Sequence, residues 1–255
     1  MKKVKNNNEN NTKTPCGACV RIAKNAAANA LLFAIALGLF LALGLRGEGE
    51  ASAASAAPIG FTEGLRVNTA VYRGKKGAKA ALLIAAGWDA SAIENIAETL
   101  EKANARATFA LSLEAVSARP LLASRLAGAG HEIALSAQGA EDKPFDELMA
   151  ELSEAVRLIE AAAGERPKLL YAGRSDSLTG AARRLELTAV KGSIDLICER
   201  GASPDILNRA KGNISGGDIV VCAPTAAFSE ALSDILGYFS FSGLTAATVS
   251  GTIYD

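Results

Sequence analysis

A chain of 255 residues, 49% hydrophobic and 21% charged, has apolar side chains for one sizeable domain plus appendages. Its 27 Lys and Arg balance 27 Asp and Glu, so no electrostatic footprint for nucleic acid exists, and no basic motif interleaved with aromatics appears. Aromatic content is only 5% and alanine is abundant, so helices and strands must pack closely through small side chains.

The N-terminus predicts an address. Residues 1–24 carry Lys2, Lys3, Lys5, Lys13, Arg21 and Lys24 against the single acid Glu9. Residues 25–45 (NAAANALLFAIALGLFLALGL) then run without a charge. At ~1.5 Å per residue, a helix of that length spans a ~30 Å hydrocarbon core. The basic side stays cytoplasmic, which places residue 46 onward outside the cell membrane. The expectation is a single-pass signal anchor, with secretion after cleavage near Ala51-Ser52-Ala53 or Ser55-Ala56-Ala57 as the alternative. Cys16 and Cys19 form a lone CxxC on the tail, read as two reduced thiols because no second pair or histidine lies nearby.

Residues 46–66 are small and polar without apolar period, hence a linker, and a regular pattern begins at Val67. Residues 81–86 (ALLIAA) predict a buried strand, and 91–103 place Ile93, Ile96, Ala97 and Leu100 at helical spacing. Residues 106–111 predict the next strand, 120–129 a Leu- and Ala-rich helix, and 131–135 a third strand. In the longest helix Phe145, Leu148, Met149, Leu152, Val156 and Ile159 form one stripe, until Gly164 stops it. Short strands follow at 168–171, 187–190 and 193–197, with a weaker helix at 178–185. Pro204 sits near the start of a helix through Ala210, 218–222 is a buried strand, 227–236 a helix and 246–249 a last strand. Such alternation means parallel β/α units, in an open sheet or a barrel, with too few long elements for a full eight-fold barrel.

Several short motifs, in order, carry a resemblance. They are Val71-Tyr72-Arg73-Gly74, Ala107-Thr108-Phe109, Gly130-His131-Glu132-Ile133, Gly164-x-x-Pro167-Lys168-Leu169, Ser193-Ile194-Asp195, and Gly217-Asp218-Ile219 with Pro224-Thr225. Together they resemble the framework of the polysaccharide deacetylases, the NodB-homology fold, in their sporulation and cell-envelope branch. The resemblance implies a distorted (β/α) barrel over residues 67–255, here preceded by one N-terminal transmembrane helix. It also implies zinc or another divalent metal, an aspartate base and a histidine acid for the leaving amine.

Those chemical groups are missing. Where the first motif would carry two aspartates this chain has Ala85 and Ala86, and the two metal-binding histidines of the second motif are replaced by Ser136 and Ala140. Ala223 stands in place of the acid, and the chain's one histidine, His131, reads as a framework residue. No metal is therefore expected. Asp89 reads as a helix N-cap, Asp195 as a brace between loops, and Cys198 and Cys222 as buried apolar groups or a disulfide. Trp88, Asp89, Ser136, Tyr171 and Asp195 remain as candidates for binding a glycan or partner at the barrel mouth, with packing the alternative for the aromatics. The expectation is a membrane-anchored, catalytically inactive relative whose partners are the membrane and peptidoglycan or another envelope glycan. A divergent deacetylase and a purely structural envelope module are the alternatives.

Overall fold

Alternating side chains along β1 (Lys79–Ala86) set the layers. Ala80, Leu82, Ile84 and Ala86 join an apolar cluster with helix residues, whereas Ala81, Leu83 and Ala85 join a second cluster built almost wholly from strands. The first cluster is the helix–sheet core and the second fills the inside of the curled sheet. The computed structural model describes residues 69–86, 92–140, 142–173, 175–176, 178–197 and 202–254, all within one compact unit, Gly64–Asp255. The tail, the apolar segment 25–45 and the linker lie outside the described residues. Among the described residues no helix is long and apolar enough to cross a membrane.

After β1 come α1 (Ile93–Lys102), β2 (Thr108–Leu111), α2 (Leu113–Ala118), α3 (Pro120–Gly128) and β3 (Glu132–Ser136). Next are α4 (Phe145–Ala163), β4 (Leu169–Tyr171), α5 (Leu178–Arg184), β5 (Thr188–Val190) and β6 (Ile194–Asp195). The chain ends with α6 (Ser203–Ala210), β7 (Ile219–Cys222), α7 (Ala226–Phe241), β8 (Thr245–Ala247) and α8 (Val249–Ile253). All pairings between these strands are parallel, and the order across the sheet is β5-β4-β3-β2-β1-β7-β6. Ala81 pairs with both β7 and β8, so β8 takes the start of the β1 edge whose end is taken by β2.

The helices form for local reasons. Ile93, Ile96, Ala97 and Leu100 are the buried face of α1, and Leu148, Leu152, Val156 and Ile159 that of α4. Gly164, at φ 77°, ends α4 in a left-handed cap. Two helices depart from the sequence expectation. Ser112 Oγ accepts from Ala115 N at 3.2 Å and starts the short α2. Val249, expected to end the last strand, instead begins α8, because Thr248 Oγ1 accepts from Gly251 N at 3.1 Å and turns the chain into a helix.

Helix α8 closes the end of the barrel where the strands start. Val249 and Ile253 pack into the interior cluster. Glu132 accepts from Thr108 Oγ1 at 2.6 Å, from Ser250 N at 3.1 Å and from Ser250 Oγ, while Thr108 Oγ1 accepts from Val249 N at 2.8 Å. A carboxylate at a helix start meets its unpaired N–H groups. Beside it, His131 Nδ1 accepts from Ala107 N at 3.3 Å and its ring meets Phe109 edge-on, centroids 5.2 Å apart. The Ala107-Thr108-Phe109 and Gly130-His131-Glu132-Ile133 motifs thus hold each other.

The open side of the sheet is sealed by residues 71–74. Val71 N donates to Ala189 O at 2.8 Å beside β5, and Gly74 N donates to Gly217 O at 2.8 Å beside β7. Asp218, 2% exposed, anchors this crossing: Arg73 Nε lies 2.8 Å from Oδ1, and Ser193 Oγ donates to the same oxygen at 2.6 Å. Ser215 donates to Oδ2 through its N–H at 2.8 Å and its Oγ at 2.9 Å. The backbone runs so close here that a Cβ on Gly216 would collide with the Gly77 carbonyl oxygen.

Two buried titratable groups make stability depend on pH. Burial alone would raise the Asp218 pKa, but its bonds from Ser193 and Ser215 and the Arg73 charge win and hold it below its ordinary 3.8. Its stabilisation is complete above that value and is lost as pH falls through the lower folded pKa. Asp218→Asn is expected to cost about 2–3 kcal/mol in urea unfolding at neutral pH and to flatten the acid limb. For His131, burial first and the nearby Arg106 charge second push the pKa below 6.5. The fold therefore loses stability as pH drops from 6.5 toward that lower value. His131→Asn, whose amide oxygen still accepts from Ala107 N, should abolish this slope in thermal unfolding followed across pH.

Candidate functional site

The C-terminal ends of parallel strands form the mouth of such a fold, the end where α/β sheets place ligands. Parity decides which side chains face it. On β3, Ser136 faces inward with Ala134, and on β4 Tyr171 faces inward with Leu169, so the register partners Ser136 and Tyr171 stand side by side. Ser136 is 3% exposed, and its Oγ accepts from Gln138 N at 3.3 Å. Tyr171 is 5% exposed within the interior cluster that holds Leu83, Val190 and Val221, so its ring packs and offers no open face for stacking. Asp195, on β6, accepts from Ile197 N at 2.8 Å and so braces its own turn. Trp88, Asp89 and Cys198 lie outside the described residues.

Cys222 ends β7 but shares the parity of Val220, and its side chain sits in the helix-side cluster with no exposure. It is a free thiol in the structure. Burial, and secondarily the Asp195 charge, push its pKa far up, so it stays protonated and unreactive. It takes no part in the mouth.

The metal implied by the resemblance does not fit the described residues. Ala85 faces inward at the end of β1 and Ala86 faces the helices; neither offers a donor atom. Ala140 is buried in the helix-side cluster. Among the described residues no group of three His, Cys, Asp or Glu side chains comes together. His131 lies one strand length from Ser136, at the opposite pole.

Two features escaped the sequence reading. Lys191, just past β5, has a side chain only 6% exposed, with Nζ 2.5 Å from Asp176 Oδ1 and 5.9 Å from the centre of the Tyr72 ring. The hydrogen bond to Asp176 raises its pKa, so it is a fixed cation on the sealed side of the barrel. Nothing in the local sequence joins residues 72, 176 and 191; the fold does. The second is a cavity of about 600 Å³ at the pole where the strands start, lined in part by His131, Arg166, Lys168 and Thr248.

Residues 73–190 match the polysaccharide deacetylase family model. A comparison with curated protein sequences finds no match. Among solved structures, a CE4 family pseudoenzyme from Bacillus anthracis has 21% identity and a TM-score of 0.66, covering 72% of this chain and 69% of that chain. A mutant of that pseudoenzyme, with restored enzymatic activity, gives the same TM-score of 0.66. The family 4 carbohydrate esterase PdaA of Bacillus subtilis has 18% identity and a TM-score of 0.63 over 72% of this chain and 85% of that one. The peptidoglycan deacetylase PdaC of Bacillus subtilis has 19% identity and a TM-score of 0.59 over 69% and 89%. At such identities the likeness shows a shared fold: a curled half-barrel of parallel strands backed by helices. Through residues 73–190, whose motifs interlock as described above, the chain is similar to the polysaccharide deacetylase family.

Proposed function

We infer that this chain is a catalytically inactive polysaccharide-deacetylase-like protein, anchored in the cell membrane with its domain outside, that binds an envelope glycan or a protein partner through the old mouth. One observation carries this reading: Ala85, Ala86, Ser136, Ala140 and Ala223 stand where the family's base, metal ligands and acid would stand. Without them nothing polarises an acetyl carbonyl, activates water or protonates the leaving amine. The pseudoenzyme from Bacillus anthracis supports it as a precedent on the same fold. A mutant of that protein has restored enzymatic activity. Membrane anchoring rests on the basic tail and the uncharged run 25–45. Peptidoglycan or a similar polymer is the proposed neighbour because the motifs resemble the cell-envelope branch. The burial of Tyr171 favours one competing reading, a barrel kept as a structural module.

The purified full-length chain is expected to carry no stoichiometric zinc by elemental analysis and to release no acetate from N-acetylated glycan. Zinc at one per chain together with acetate release would establish the hydrolase reading instead. For binding, Trp88→Ala should weaken retention on peptidoglycan about fivefold, the effect of one lost aromatic contact. Tyr171→Ala should instead lower unfolding stability by roughly 3 kcal/mol, as removal of a buried aromatic does. Unchanged retention with Trp88→Ala would leave the structural module as the better account.

A further inference from the structure

The cavity at the pole where the strands start is separate from the mouth and independent of the glycan reading. Its wall combines the end of α3, the turn before β3, the end of α4, the lead into β4 and the loop before α8. His131, 5% exposed, forms part of it. Because Ala107 N–H donates to Nδ1, the neutral ring carries its proton on Nε2. That nitrogen is buried and has no hydrogen-bond partner. Native folds rarely leave a buried donor unmade, and an absent ligand is one standard reason.

The sign of the remaining hydrogen-bonding capacity identifies the ligand class. Several of the acceptors around the cavity are engaged. Glu132 receives Thr108 and Ser250, and Glu165 Oε1 receives Lys168 Nζ at 2.6 Å. The closing carbonyls of α3, at Arg125, Leu126 and Ala127, receive the N–H groups of Ala129, His131 and Gly130. Donors are left over. Arg166 uses one N–H on Leu185 O at 3.0 Å, and its fork keeps others. Lys168 keeps two ammonium hydrogens beyond its bond to Glu165. Thr248 Oγ1, as an acceptor from Gly251 N, still has its own hydrogen to give. The guanidinium of Arg106 adds positive charge beside Gly130, where an added Cβ would sit 3.0 Å from its Nε.

We propose that this cavity binds a small oxyanion, a phosphate or carboxylate group, gripped by Arg166 and Lys168 at the rim with His131 Nε2–H behind it. Nε2 is closed to bulk water, and contact with a seated oxygen would give it the partner it lacks. Guanidinium and ammonium groups are the usual partners of such anions.

The chain's single histidine makes the test direct. Full-length protein, carrying no histidine tag and labelled with nitrogen-15 only in histidine, gives one imidazole pair by NMR. It is titrated with inorganic phosphate and separately with acetate, against sodium chloride at matched ionic strength. A saturable shift of the Nε2 signal with phosphate, acetate or both, absent with chloride, is the expected result, and which anion acts names the source. The double variant Arg166→Gln/Lys168→Gln, altered only at exposed side chains, should weaken binding by about tenfold or more. No saturable shift, an equal response to chloride, or unchanged affinity in that variant overturns the proposal.

Discussion

The path of paired strands begins at β5 and ends at β6, and a sheet with two free edges would leave unpaired backbone groups along its opening. Asp218 is the constraint that prevents this. One carboxylate, nearly out of contact with water, collects Arg73 from the sealing segment, Ser193 from the approach to β6 and Ser215 from the approach to β7. A buried charge is tolerable only when fully paired and hydrogen-bonded. The requirement works in reverse as well: the charge stays only while all these segments stay together. Gly192, at φ 86° and against Val221, and Gly216 against Gly77 let the backbones approach closely enough for those bonds to form.

Small residues inside the barrel shape what the mouth can do. Ala81, Ala85, Ala110 and Ala134 line the interior on β1 to β3, and Leu83, Tyr171, Val190 and Val221 fill the space they leave. The inside is therefore a packed apolar core rather than a polar pit. An aspartate or histidine at the inner ends of β1 and β3 would need water, metal or partners to offset its desolvation, and Ala85 needs none. Alanine at the inner end of β1 and closure of the interior support each other energetically.

Much of the fold was legible because strand and helix periods differ so plainly in this chain. The α4 stripe from Phe145 to Ile159 and the apolar runs at 81–86 and 218–222 needed no tertiary information. What escaped depends on contacts distant in sequence. Val249 looks like a strand residue, and it begins α8 because Thr248 caps the turn and the barrel floor accepts its side chain. Cys222 was legible as a buried apolar group, but strand parity, which turns it toward the helices, shows only in the folded sheet. The Lys191–Asp176 pair spans a loop and a strand and has no local sign. The mouth was legible as a set of absences at Ala85, Ser136 and Ala140, while for Tyr171 binding and packing both stood open until the facing strands showed it buried.

The surviving and missing parts of the family's motifs divide along one physical line. Every surviving piece the structure describes has a partner in the fold: Arg73 with Asp218, Ala107 with His131, Thr108 with Glu132, Phe109 with the His131 ring, Gly164 as a left-handed cap and Thr225 as the cap of α7. The replaced positions, Ala85, Ser136, Ala140 and Ala223, are those that catalysis alone would ask to be polar. Glu132, by contrast, gives the start of α8 its carboxylate, and its removal would loosen the floor of the barrel. His131 belongs with the first group by its Nδ1 bond, yet its Nε2–H has no structural partner. One half of that ring is explained by the architecture, and the other half directs attention away from the mouth, to the opposite pole.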